Sequence, residues 1–289
     1  MRVADGWQDY ELLDATDGFR LERWVNISLQ RPDPQVIWQL PRISKQWNAV
    51  DAVYHRSAKG GGGWDYKKKL PEKWTIEYKG LKLVVSPTGF KHTGVFPEQA
   101  VNWDAYDKLI KAAKRPIKVL NLFGYTGGAT LACAAAGATV THVDASKGMV
   151  AWARENAAAS GLEDKPIRWI VDDCQKFVAR EMRRESRYDA LIMDPPSYGR
   201  GPGGEIWKLE EAIYPLLEQV CGVLSADPLF FAVNSYTTGL APGVMGYMLG
   251  RLLPRRFGGK IISDEIGLPV TATGGILPCG ATSLWQQTI

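Results

Sequence analysis

Four short segments in the second half of the chain carry residues suited to holding a nucleoside and working on a base. Gly124, Gly127 and Gly128 follow an apolar run, where backbone must turn sharply or pass close to a ligand. Asp144 ends a second run, where an acid can accept both hydroxyls of a ribose. Asp173 follows a third, where a carboxylate can meet an adenine amino group. Asp194-Pro195-Pro196 follows a fourth, beside the place where a cofactor presents its reactive end. Asp194 and the Pro195 carbonyl can accept hydrogen bonds from an amino group, Tyr198 can stack on a base, and Asn234 can hold a base edge. Each feature has a plainer reading as a turn, a helix cap or a strand stop. Their arrival in order on successive strand ends favours a site.

The runs that position these residues are Ile117–Leu122, Thr139–Val143, Ile167–Val171, Tyr188–Met193 and Leu229–Val233, with helical stretches between them. Ser146 caps one helix, and others are expected over 208–224 and near 242–252. Strands alternating with helices predict an α/β fold with a doubly wound parallel sheet, whose ligands sit outside the carboxyl ends of the strands. Three cofactor classes use that geometry. A dinucleotide wants Gly-x-Gly-x-x-Gly, whereas the spacing here is Gly-x-x-Gly-Gly with Phe123 and Tyr125 in the loop. The Gly-Lys-Ser/Thr of a phosphate-binding loop is absent from this segment. A nucleoside without phosphate, S-adenosylmethionine, remains.

The 289 residues are 45% hydrophobic and 23% charged, enough for a sizeable core. No apolar run is long enough for a membrane span, and the start lacks a secretory pattern, so a cytoplasmic protein is expected. Cys133, Cys174, Cys221 and Cys279 are far apart, so neither a zinc clip nor a disulfide framework is expected, and no metal is predicted. The formal charge is +4 overall but uneven. Residues 1–18 carry −4 and read as a loose acidic arm. Residues 19–95 carry +8 and read as a small basic β-rich domain with a capacity for RNA, and 96–289 are neutral and form the catalytic domain. Strands are expected at 19–25, 74–78 and 81–85, the last two joined by Lys79-Gly80. Six of the eleven tryptophans fall in this first part; they suit the core of a small β domain better than a platform for bases.

The segments Gly89–Gln99, Val119–Gly128, Val143–Ser146, Val171–Cys174 and Met193–Tyr198 resemble those of the class I methyltransferases, in particular the bacterial large-subunit ribosomal RNA base methyltransferases. The resemblance covers about residues 19–289. It implies a Rossmann-like seven-stranded sheet with its last strand antiparallel, preceded by a small β-rich domain. It also implies that Thr93, Phe96 and Gln99 help close the cofactor pocket, and that Phe123, Gly124, Tyr125, Thr126, Gly127, Asp144, Ala145, Ser146, Asp173, Cys174 and Asp194 line it.

Carbon-5 cytosine enzymes of this family place a nucleophilic cysteine just after the fifth strand or within the strand-four motif. Here those places read Val233-Asn234-Ser235-Tyr236 and Pro196. Cys133 and Cys174 suit buried small side chains better. Nitrogen needs no such activation, only a lone pair aimed at the methyl group, so nitrogen methylation is expected, with Asp194, Pro195, Pro196, Tyr198 and Asn234 at the reacting centre. The glycine-rich stretch from Tyr198 to Lys208 reads as a mobile, substrate-closing loop whose Arg200, Trp207 and Lys208 grip phosphate and base, with Lys91 and His92 as further substrate contacts. RNA, ribosomal in particular, is the expected partner. The rival readings keep the cofactor with a small-molecule or protein acceptor, or keep only an RNA-binding fold; a dehydrogenase fits least.

Overall fold

Residues 1–57, 61–89, 91–200, 206–237 and 239–288 are described by a computed structural model, Arg200 in its backbone alone. They form two units, Met1–Val101 with Ile266–Cys279, and Asn102–Glu265 with Gly280–Ile289. The boundary expected at 95/96 therefore falls a few residues early, and the return of 266–279 to the first unit is not signalled by composition.

The first unit begins with β1 (Arg2–Val3), paired in parallel with Ile266–Gly267. A five-stranded sheet follows in sequence order: β2 (Tyr10–Thr16), β3 (Phe19–Trp24), β4 (Ile27–Pro32), β5 (Ala52–Arg56) and β6 (Gly62–Tyr66). The hairpin β7 (Trp74–Tyr78) and β8 (Leu81–Val85) turns at Lys79 and Gly80, whose φ values of 47° and 85° are those a primed two-residue turn requires. Trp24 and Trp47 are buried, in keeping with a core role.

The expected loose arm is instead strand structure, because β2 buries Tyr10, Leu12 and Ala15. Its acid Asp14 disguised it. That carboxylate is buried and accepts from the Ala15, Ile43 and Ser44 amides and from Trp47 Nε1. Burial alone would raise its pKa, but these donors hold it below the ordinary value. The basic surplus is also partly internal. Arg31 binds Glu22 through Nε and Nη2 at 2.6 and 2.7 Å, and Arg20 pairs with Asp33.

The second unit holds helix α1 (Ala100–Ala113, entering from the first unit), β9 (Lys118–Leu122), α2 (Gly128–Ala135), β10 (Thr139–Asp144), α3 (Lys147–Ala159), β11 (Ile167–Val171), α4 (Cys174–Arg183) and β12 (Ala190–Met193). Then come β13 (Tyr198–Arg200), β14 (Ile206–Lys208), α5 (Leu209–Cys221), β15 (Phe230–Ser235), α6 (Pro242–Leu252), α7 (Pro254–Phe257), β16 (Lys260–Pro269) and β17 (Ile276–Gln286). The main sheet has the order β16-β17-β15-β12-β9-β10-β11, extended by β1 at the 266–267 end of β16. It is parallel from β15 through β11, and β17 runs antiparallel to β15. This is the expected α/β, Rossmann-like arrangement beside a β-rich N-terminal region. Because β9 is buried on both faces, Val119, Leu120 and Leu122 show no alternation.

From β9 the chain winds through β10 to β11, then crosses back to β12, so the order reverses between β9 and β12. Leu122 is in register with both Val143 and Met193, and Met193 with Val233. That register brings Phe123, Asp144, Asp194 and Asn234 to one edge of the sheet. No helix among the described residues is long and apolar enough to cross a membrane.

Candidate active site

The loop after β9 is held in an uncommon backbone conformation. Phe123 and Tyr125 have φ of 56° and 49°, and Gly127 has φ of 89°. Left-handed geometry at two aromatic residues costs on the order of 1 kcal/mol each, so surrounding bonds must enforce it. They do: the Phe123 amide donates to Cys174 Sγ at 3.4 Å, the Tyr125 amide to Asp144 Oδ2 at 2.9 Å, and Asn156 Nδ2 to the Thr126 carbonyl at 2.8 Å.

The glycines were expected to let backbone approach a ligand or turn sharply. Each also packs closely against a protein neighbour. A Cβ at Gly124 would lie 2.4 Å from the His142 ring, one at Gly127 2.9 Å from Ala153 Cβ, and one at Gly128 2.4 Å from Trp103. Gly127 also makes the sharp turn.

Asp144 stands beside this loop at the end of β10. Its Oδ1 accepts from the Ser146 amide at 2.8 Å and its Oδ2 from Tyr125. Burial raises its pKa in spite of these two bonds. Each oxygen keeps a second lone pair, so the pair of acceptors suits a vicinal diol. Ala145 connects Asp144 to Ser146, whose Oγ caps α3 by accepting from Met149. Asp173 caps α4 by accepting from the Lys176 amide, while its neighbour Asp172 is paired with Arg180. The plain capping reading thus applies to one oxygen of Asp173. Cys174 is buried and its thiol is pushed up to about 12.

After β12, Asp194 is half-buried, Pro195 is buried, and Pro196 and Tyr198 are exposed. Trp207 Nε1 donates to the Pro196 carbonyl at 2.6 Å, and its ring lies 5.9 Å from that of Phe123. Thr237 Oγ1 donates to Ser197 Oγ at 2.7 Å. The expected mobile loop is in part a ribbon: Tyr198 pairs with Lys208, Gly199 with Trp207 and Arg200 with Ile206. Residues 201–205 lie outside the described residues, as does the side chain of Arg200.

Two expected substrate contacts have protein partners of their own. Asn234 Oδ1 accepts from Thr282 Oγ1 at 2.7 Å and from Asn102 Nδ2 at 3.1 Å, so the acceptor expected to hold a base edge ties β15 to β17 and α1 instead. The side chain sits inside the sheet, 3% exposed, where a polar group must find internal partners. Lys208 is exposed and paired with Glu211 at 2.8 Å, so a phosphate would have to compete for it.

Lys91, His92, Thr93, Phe96 and Gln99 belong to the first unit. Lys91 is half-buried, with Nζ 3.5 Å from the Pro32 carbonyl; burial, reinforced by Arg31 and Arg20, brings its pKa down to about 8. Burial and the same cations take His92 down to about 3, so its ring is neutral at neutral pH and packs 5.0 Å from Phe96. Thr93 and Gln99 are buried. Asn121, Thr130 and His142, which join beneath the Gly124 loop, escaped the sequence reading; the signal was a histidine within a β-branched strand. Among the described residues no group of side chains could hold a metal ion.

Residues 46–211 match the family model described as S-adenosylmethionine-dependent methyltransferase. Over 125 residues, 43% of the chain, the sequence is 35% identical to the ribosomal RNA large subunit methyltransferase K/L of Shewanella baltica; the match spans 16% of that longer protein. The crystal structure of an S-adenosylmethionine-dependent methyltransferase from Agrobacterium tumefaciens superposes with a TM-score of 0.92 at 37% identity, covering 99% of this chain and 93% of that one. A tRNA (uracil-54, C5)-methyltransferase from Pyrococcus abyssi, in complex with S-adenosyl-L-homocysteine, shares the fold at 14% identity and a TM-score of 0.51, over 93% of this chain and 60% of its own.

Proposed function

The chain belongs to the S-adenosylmethionine-dependent methyltransferase family, and we propose that it methylates a nitrogen of a base in RNA, in large-subunit ribosomal RNA by class. S-adenosylmethionine is the cofactor. The observation that carries nitrogen over carbon-5 is the state of the cysteines. Cys133, Cys174 and Cys279 are buried, and burial raises every thiol in the chain, to about 12 for Cys174 and Cys221. None of the four directly follows β12 or β15, where the resemblance would place a nucleophile for a ring carbon. The choice of RNA is supported by the local similarity to the ribosomal RNA enzymes and by the net positive charge of residues 19–95.

The residues fit the cofactor. Asp144 is a partly desolvated carboxylate with a lone pair spare on each oxygen, which matches a ribose diol, and the loop offers aromatic rather than phosphate-gripping side chains. Asp144 takes the ribose, Asp173 faces the adenine amino group through the oxygen not used in capping, and the loop 123–127 carries the remainder. When bound, S-adenosylmethionine supplies a methyl group made electrophilic by its sulfonium.

The chain's own part in the reaction is positioning. Asp194 and the Pro195 carbonyl accept hydrogen bonds from the acceptor amine and turn its lone pair toward the methyl group, and the amine proton leaves to solvent. Tyr198 stacks on the base, while Trp207 fixes the carbonyl that follows Pro195. Labelled methyl transfer to RNA, protein and metabolite fractions from cells lacking the enzyme tests this reading. Label in large ribosomal RNA supports it, and label in protein or metabolites alone refutes it.

A further inference from the structure

His142 takes no part in the roles above, yet its imidazole lies directly under the Gly124 α-carbon. The ring is fully buried on β10, with Nδ1 2.9 Å from Thr130 Oγ1. That hydroxyl also accepts from Asn121 Nδ2 at 2.9 Å, so its single proton is free to point at Nδ1. Whichever ring nitrogen carries the proton, Nε2 is buried without a hydrogen-bond partner. A buried polar atom left unpaired costs roughly 1–3 kcal/mol. Burial takes the pKa down to about 4, which keeps the ring neutral.

What the ring does is support backbone. A side chain at position 124 would begin 2.4 Å from His142 Cε1 and 2.5 Å from Nδ1, closer than atoms can pack. Gly124 has no positive φ, and the three atoms nearest to a side chain placed there all belong to the His142 ring, so it is the imidazole that first bars a larger residue. On either side of this contact stand the left-handed residues Phe123 and Tyr125, and the Tyr125 amide is the one bound to Asp144.

We propose that His142 is a positioning residue for the methyl donor: its ring, anchored by Thr130 and Asn121, sets the height of the Phe123–Gly127 loop and thereby the link from Tyr125 to Asp144. This rests on the reading that the loop and Asp144 seat the cofactor.

Calorimetric titration of the full chain with S-adenosylhomocysteine tests it, alongside hydrogen exchange at the Tyr125 amide. His142→Ala should weaken binding roughly tenfold and speed that exchange, while His142→Asn, which can keep the bond to Thr130, should lose less. Gly124→Ala should weaken binding by a similar factor. The double variant Gly124→Ala/His142→Ala should recover most of the loss, because the new methyl enters the space the ring leaves. Additive losses in the double variant, or a His142→Ala protein with native affinity and native exchange, would overturn the proposal. Asp144→Ala separates the two levels: if it binds as tightly as the unaltered chain, the seat itself is misassigned and the proposal falls with it.

Discussion

The Tyr125 amide donates to Asp144 Oδ2 at 2.9 Å, joining the loop after the central strand to the acid at the end of its neighbour. The bond orients the carboxylate without exhausting it, and it helps hold a non-glycine residue at φ of 49°. Loop and acid are therefore one structure, and a change at either should be felt at the other.

Acid should weaken the cofactor's hold. Only the ionised Asp144 can accept from two ribose hydroxyls while also accepting from Tyr125 and Ser146. Burial raises its pKa, so protonation begins at higher pH than for a free aspartate. Affinity for S-adenosylhomocysteine, followed by calorimetry from about pH 7 downward, should fall in mild acid. Asp144→Asn should bind weakly with little pH dependence over the same range.

The four thiols should be dispensable for chemistry. Cys133→Ala loses buried volume and should destabilise the fold by about 1–2 kcal/mol, yet retain methyl transfer; Cys174→Ala also loses the bond to the Phe123 amide, so it should bind the cofactor more weakly while still transferring methyl. Thiol-alkylating reagents should leave the native enzyme active. Abrupt inactivation by one equivalent of label, with 5-methylcytosine among the products, would reverse the nitrogen assignment.

Trp207→Phe should separate substrate turnover from cofactor binding. Phenylalanine can keep the ring near Phe123 but cannot donate to the Pro196 carbonyl. Loss of that bond, worth on the order of 1 kcal/mol, should slow methyl transfer about fivefold, with cofactor affinity little changed. Steady-state kinetics beside a binding titration reads both quantities.

Glu22→Ala should destabilise the first unit by about 3–5 kcal/mol, since it strands the buried Arg31 guanidinium. The pH dependence follows in sign. Burial opposes the Glu22 charge, but Arg31, Arg20 and Tyr10 hold its pKa below the ordinary 4.5. Its stabilisation is thus present above about pH 4.5 and lost as pH falls through the folded value. Urea unfolding followed by circular dichroism should show a smaller acid loss in Glu22→Ala than in the unaltered chain, the remainder coming from groups such as Asp14 and Asp33.

The second unit was legible because its strands are buried on both faces and end in residues of unusual type. Runs such as Val119–Leu122 leave a continuous apolar signal, and glycine, aspartate and proline mark where each stops. The first unit was harder to read. Asp14 sits in a strand with its carboxylate satisfied by four donors, and a local scan reads a buried acid as loop. Arg20 and Arg31 count as surface charge in composition but form internal pairs. At the site, residue types pointed to strand ends but not to what each group already binds. Asn234 and Lys208 have partners that only the folded chain brings to them. The Gly124–His142 contact is equally invisible, because the two residues meet through packing across neighbouring strands.

The most direct test is a crystal structure of the full chain with S-adenosylhomocysteine. The account predicts both ribose hydroxyls on Asp144 and the ligand lying along the Phe123–Gly127 loop, with its sulfur directed toward Asp194 and Pro195. A ligand bound elsewhere, or an Asp144 carboxylate making no contact with ribose, would contradict it.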